Sequence, residues 1–271
     1  MSPIRNGKNM DRALFTSATG LAAQQMNLDV IANNLANVST VGFKSSQANF
    51  QDLMYQDLQD PGSQTSASTM LPTGTQVGLG VSAGTTSTIN TTGTMQQTGN
   101  ATDMAVQGAG FFQVLMPDGT TSYTRAGNFN VDGTGRLVNP QGYPLQPEIV
   151  VPPNSQSLTI SPSGQVTVTV AGQTQPQVVG QVQLTTFVNP AGLRAMGGNL
   201  FQATAASGTP TTSNPGSQGA GTIAQDTLEE SNVDIVSQMV QMIIVQRAYD
   251  SNSKVITSAD RMMSTTNALV Q

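Results

Sequence analysis

The two ends of the chain repeat at the same interval. Leu14, Leu21, Leu28 and Leu35 recur every seven residues, with Ile31 and Val38 three residues beyond the last two. Ile235, Met242, Tyr249, Ile256, Met263 and Val270 keep the same step at the other end, flanked by Val245 and Ala259. A seven-residue apolar line is a narrow helical seam of the coiled-coil kind. It predicts one helix over about residues 11–38 and another over about 232–269, the second opening on Ser231 and Asp234. Neither helix buries enough surface to stand alone. The economical arrangement pairs them with each other and inserts the rest of the chain between them.

That insertion reads as β. Phe111–Leu115 and Thr121–Thr124 flank Pro117-Asp118-Gly119, and Asn128–Val131 and Arg136–Asn139 flank Asp132-Gly133-Thr134-Gly135. Both are strand–turn–strand patterns. Gln165–Val170 alternates valine with polar residues as a half-exposed strand does, and Val178–Val188 is similar. Residues 202–222 are poor in large apolar side chains and read as loop. Before the β region, Phe50, Leu53, Met54 and Leu58 form a short apolar cluster that Asp60-Pro61-Gly62 interrupts. Val77, Leu79 and Val81 alternate with glycine beyond it, as one arm of a long thin hairpin. The predicted class is α+β. Its parts are a terminal-helix coiled coil (10–45 with 226–271), an extended hairpin segment (46–92), an antiparallel β domain (93–225) and a disordered extension (1–9).

Charge follows the same division. Nine charged residues lie in 1–61 and nine in 226–271, leaving seven for the 164 residues between. The net charge of −5 and the scatter of ten Lys and Arg argue against nucleic acid as partner. No apolar run reaches the roughly 18 residues of a membrane span. Basic Arg5, Lys8 and Arg12 precede Ala13–Ala23 and loosely imitate a signal peptide, but the helical repeat runs through that stretch, so it reads as retained. Met10 is a second candidate start.

Catalytic chemistry finds little footing. Histidine and cysteine are absent, which removes the commonest general base and the thiolate nucleophile. Gly78, Gly80 and Gly84 are spaced GxGxxxG with no helix pattern or Lys after them, so neither nucleotide loop fits. Asp118 and Asp132 are explained by their turns. Asp226, Glu229 and Glu230 fit a helix N-terminus better than a metal site. No cofactor and no metal are expected, and the chain reads as a non-enzyme.

What remains is interaction. Asn33, Asn34 and Asn37 on the first helix, and Gln238, Gln241, Gln246, Arg247 and Asn252 on the last, leave surfaces polar yet poor in charge. Uncharged amides suit contact with other subunits, since they hydrogen-bond without desolvating a charge. Gly42 is the expected hinge, letting the chain leave the helix through a left-handed turn and sending Phe43 and Lys44 toward the hairpin.

The stretch IANNLANVSTVGFK (31–44) resembles the N-terminal signature of bacterial flagellar rod and hook subunits. SNVDIVSQMVQMIIVQRAYDSNSKVI (231–256) resembles their C-terminal signature, and GFFQVLMPDGTTSYTRAGNF (110–129) and LTTFVNPAGL (184–193) resemble motifs of their β domain. The segment from Phe50 to Val81 resembles that of distal rod members, length favours these over hook members, and QRAYDSNSKVI (246–256) favours distal rod or hook over proximal rod members, the next alternative. The resemblance implies a structural subunit that stacks helically with its own copies into a hollow periplasmic shaft. It implies export through the flagellar type III apparatus without a cleaved signal. Its neighbours would be the proximal rod, the hook, and the P and L ring proteins. Phe50 and Met54 match the family's export spacing of Phe, three residues, then an apolar residue.

Overall fold

The computed structural model describes residues 4–60, 64–66, 69–70, 73–173 and 175–269. The chain divides into two compact units. One comprises residues 1–34, 46–87 and 235–271, the other 35–45 and 88–234. The hairpin segment thus belongs with the helices rather than forming a third part. The segments just after the first helix and just before the last belong with the β unit.

In the helical unit, α1 runs Ile4–Ala36 and α2 runs Ile235–Leu269, 33 and 35 residues. At 1.5 Å per residue each is about 50 Å long. Residues 4–9, expected to be a disordered extension, continue α1. Once the turns beyond Met10 have nucleated a helix, Asn6, Gly7 and Asn9 weaken its propagation through that stretch without stopping it. Residues 1–3, Pro61, Gly62 and Val270 lie outside the described residues.

The two helices are antiparallel and in register. A Cβ on Gly20 would stand 2.9 Å from the Asn252 side-chain nitrogen. Asn34 donates to the Gln238 side-chain oxygen at 3.3 Å. Fourteen residues forward on α1, from Gly20 to Asn34, match fourteen back on α2, from Asn252 to Gln238.

The segment after α1 forms a two-stranded ribbon. Ser46–Asp52 neighbours Val81–Thr88, Tyr55–Gln59 pairs with Thr75–Gly78, and Gln64–Ser66 with Thr69–Met70. Such a ribbon is marginal in water unless something packs on it. Here α1 does. Gly80 has φ +118°, and a side chain there would drive into the Thr19 hydroxyl. Arg12 donates to Gln56 at 2.9 Å. The glycine spacing that imitates a nucleotide loop is a packing feature of the ribbon.

The β unit is built of small antiparallel sheets. The largest has five strands, in the order Leu145–Gln146, Phe112–Leu115, Thr121–Thr124, Leu200–Gln202 and Arg194–Gly197. Ser155–Ile160, Gln165–Val170 and Gln177–Gln181 make a second sheet of three. Met104, Val106, Phe112, Val114, Phe129, Leu145, Val166 and Leu184 join in the main core. Phe112 and Phe129 meet edge to face, with centroids 5.3 Å apart. The alternation in 165–170 is observed: Val166 and Val168 are buried and Gln165 is exposed.

Two β expectations are corrected. Residues 178–188 are not one strand but two, Gln177–Gln181 and Leu184–Thr186, in different sheets. Val182 breaks the run because its N–H turns to the Gly164 carbonyl and its side chain enters the core. Residues 202–222 are not all loop. Thr211–Ser213 pairs with Leu184–Thr186, using β-branched threonines in place of large apolar residues.

Candidate functional site

The seam between α1 and α2 keeps Ile31 of the predicted lines and departs from them elsewhere. Among the described side chains of α1 the buried residues are Ala23, Ile31 and Asn34, while Leu14, Leu21, Leu28 and Leu35, and Val38 beyond its end, are half-buried. On α2 the buried residues are Val245 and Ala259, with Gln238, Met242, Asn252, Ile256 and Met263 half-buried. Ile235 and Tyr249, expected in the seam, are exposed. A strict seven-residue line drifts about 20° per heptad on a straight helix, so it cannot face one partner throughout. The contacts Gly20–Asn252 and Asn34–Gln238 join residues that no hydrophobicity pattern marks.

Of the residues expected to reach other subunits, Asn34 is buried within the chain, and Gln238 and Asn252 are half-buried. Asn34 is 2% exposed, and its side chain both donates to the Ser46 carbonyl and accepts from the Ser46 N–H, each at 2.8 Å. Gln238 and Asn252 face α1. Of the others, Asn33, Gln241, Gln246 and Arg247 are exposed and Asn37 is half-buried. The Asn37 side chain and carbonyl accept from the Thr40 hydroxyl and N–H, closing the turn after α1.

Away from the seam, α2 presents an apolar stripe to the outside. Val236 is 70% exposed and Ile244 60%, with Met239, Val240 and Ile243 exposed beside them. On the ribbon, Met54 is 81% exposed, with Phe50, Tyr55 and Leu58 also exposed. Contiguous exposed apolar surface of this kind marks an interaction face.

The β unit holds a charge cluster that the sequence reading missed. Lys44 was expected to point toward the hairpin and Glu229 to sit at a helix N-terminus. Instead Glu229 accepts from Lys44 Nζ and from Arg125 Nε, each at 2.5 Å, with all three side chains buried. Lys44 also donates to the Thr91 carbonyl at 2.7 Å, and the Gly93 N–H donates to Glu229 at 2.9 Å. The remaining Arg125 donors reach the Val106, Gly108 and Gly110 carbonyls. Burial opposes ionisation of Glu229, but the two cations and the Gly93 N–H outweigh it and hold its pKa below the ordinary range. Desolvation pulls the Lys44 pKa down despite its carboxylate partner, and Arg125 adds to that. The only signal in the sequence is that all three charges stand in a chain with few of them.

Gly42 takes φ +69°, and a Cβ there would come 2.7 Å from the Arg125–Ala126 backbone. It is a close-approach point as well as a turn. Asp118 and Asp132 accept from Thr120 and Thr134 in their own turns, which lowers both pKa values. Among the described residues no cluster of acidic side chains is arranged for a metal ion. No described helix is long and apolar enough to cross a membrane.

The family models that match this chain cover the same parts. Residues 14–44 match the flagella basal body rod protein model, residues 105–168 the D1 domain of flagellar hook protein FlgE/F/G, and residues 224–269 the C-terminal region of flagellar basal body rod FlgEFG proteins. The flagellar basal-body rod protein FlgG of Caulobacter vibrioides is 50% identical over 95% of this chain and 99% of its own. The chain belongs to the flagellar basal-body rod family. FlgG of Borreliella burgdorferi is 46% identical over 96% of this chain and 99% of its own, and FlgG of Bacillus subtilis 41% over 94% and 97%. The flagellar hook protein FlgE of Treponema pallidum matches 28% of its own length, at 44% identity. The chain therefore groups with distal rod subunits, a structural and non-enzymatic class located in the flagellar basal body, and its family assembles with rod and hook proteins.

Proposed function

We propose that this chain assembles with copies of itself into a rigid hollow shaft that carries torque from the motor to the hook, and that the exposed stripe of α2 is the principal contact between copies. The observation that carries this reading is the exposed row of Val236, Met239, Val240, Ile243 and Ile244 beside a seam already closed by α1. Fully burying an aliphatic side chain is worth about 1.5–3 kcal/mol, so even half of that over five residues gives several kcal/mol per contact. Asn33, Gln241, Gln246 and Arg247 flank the stripe or the opposite helix and would supply polar contacts at its rim. The ribbon, with Met54, Tyr55 and Leu58 exposed, lies between neighbouring copies in this reading.

The shaft continues from the proximal rod, passes through the P and L rings and ends at the hook. Phe50 and Met54 serve as the export element, a role their exposure permits. Deleting residues 235–269 should abolish assembly while the β unit still folds. A shaft seen by electron microscopy with the truncated chain would refute the reading.

A further inference from the structure

We propose that the Lys44–Glu229–Arg125 cluster is a two-ended latch, fixing to the β unit both the segment that leaves α1 and the segment that leads into α2, and closing only once that unit has folded. Lys44 stands on the outgoing segment, and Glu229 ends the strand Thr227–Glu229, six residues before α2 begins at Ile235. One carboxylate therefore holds both crossings.

Apolar packing does little of this. Between residues 39 and 46 the buried residues are Gly42, Lys44 and Ser45, and between 229 and 234 they are Glu229, Ser231 and Val233. Polar bonds take its place, and they converge. The Gly42 N–H donates to the Glu229 carbonyl at 2.8 Å, and the Ser45 N–H to the Asn232 side-chain oxygen at 2.7 Å. Asn232 in turn donates to the Ile89 carbonyl at 2.8 Å, and Lys44 to that of Thr91. Four stretches far apart in sequence, around 44, 91, 125 and 229, meet at one anion.

Arg125 makes closure conditional. It follows the strand Thr121–Thr124, and the Val106, Gly108 and Gly110 carbonyls orient its fork. Val106 belongs to the strand Met104–Gln107, which pairs with Thr222–Gln225, and the Gly221 N–H donates to the Ala109 carbonyl between Gly108 and Gly110. Before that pairing, Glu229 lacks its second cation, and a carboxylate with a single partner is costly to bury. An ordinary core stabiliser would protect the whole unit evenly. A latch protects its two ends together and leaves the remote sheet alone.

Hydrogen exchange followed by mass spectrometry on the full-length monomer at pH 7 separates these cases. In E229Q, peptides covering 42–46 and 229–233 should exchange at least about tenfold faster, while Gln165–Val170 stays within about twofold of wild type. Loosening at one end only, at neither end, or uniformly through 165–170 would overturn the proposal. K44M leaves Glu229 paired with Arg125 and is the milder variant if E229Q does not fold. It should loosen both ends by a smaller factor, and unchanged exchange at both would equally overturn it.

Discussion

Asn34 binds Gln238 and Ser46 at once: its amide donates to the Gln238 side chain at 3.3 Å and to the Ser46 carbonyl at 2.8 Å, while its oxygen accepts the Ser46 N–H. One buried amide thus joins α1, α2 and the root of the ribbon. Replacing it with alanine strands the Ser46 N–H and carbonyl, at roughly 1–3 kcal/mol for each buried group left unsatisfied. Asn34→Ala should lower stability by about 2–6 kcal/mol in urea titration, toward the lower end because Ser46 is only half-buried. Gln241→Ala, at an exposed position of α2, should change it by less than about 0.5 kcal/mol.

The two closely packed glycines should respond differently. At Gly20 the neighbour is the flexible end of Asn252, and alanine recovers up to about 1 kcal/mol of helix propensity, so Gly20→Ala should be near neutral. At Gly42 the obstacle is backbone and φ is +69°, so Gly42→Ala should cost about 2 kcal/mol or more. Thermal unfolding of the two variants side by side checks the contrast.

The pH dependence follows from Glu229. Its folded pKa lies below the unfolded value of 4.5, so its stabilisation is complete above that value and is lost as pH falls through the folded pKa. Lys44 is also depressed from 10.5, so its contribution rises only in the alkaline window beneath that value. E229Q leaves two buried cations without their anion, so at pH 7 the segments 42–46 and 229–233 should lose at least about tenfold in protection while the remote sheet keeps its own. The gap between wild type and E229Q should narrow as pH drops below 4.5, as stability against pH will show.

The outer stripe of α2 should matter to assembly and not to the monomer. Ile244→Asp places a charge on a residue 60% exposed, so monomer stability should shift by no more than about 1 kcal/mol. Concentration-dependent association in sedimentation velocity should disappear. Val245→Asp, one residue away but buried, should instead unfold the helical pair.

Much of this architecture is legible in the sequence because large apolar residues announce it. The leucine and methionine heptads mark the helices, and Val166 and Val168 mark a strand whose bounds, Gln165–Val170, match the reading. The seam itself is not legible that way. Helices that approach through Gly20, Ala23, Asn34 and Ala259 use small and amide side chains, which a hydrophobic pattern passes over. Local context also misplaced Glu229. Acidic residues before a helix usually meet its dipole, and the partners that draw this one into the β unit lie 104 and 185 positions away.

The most direct test is a helical reconstruction by electron microscopy of shafts polymerised from the purified chain. Val240 and Ile244 should be buried against a neighbouring copy, with the Asn34–Gln238 bond intact within each subunit. Shafts in which those two side chains face solvent, or in which α1 has left α2 to pair with another copy, would contradict that expectation.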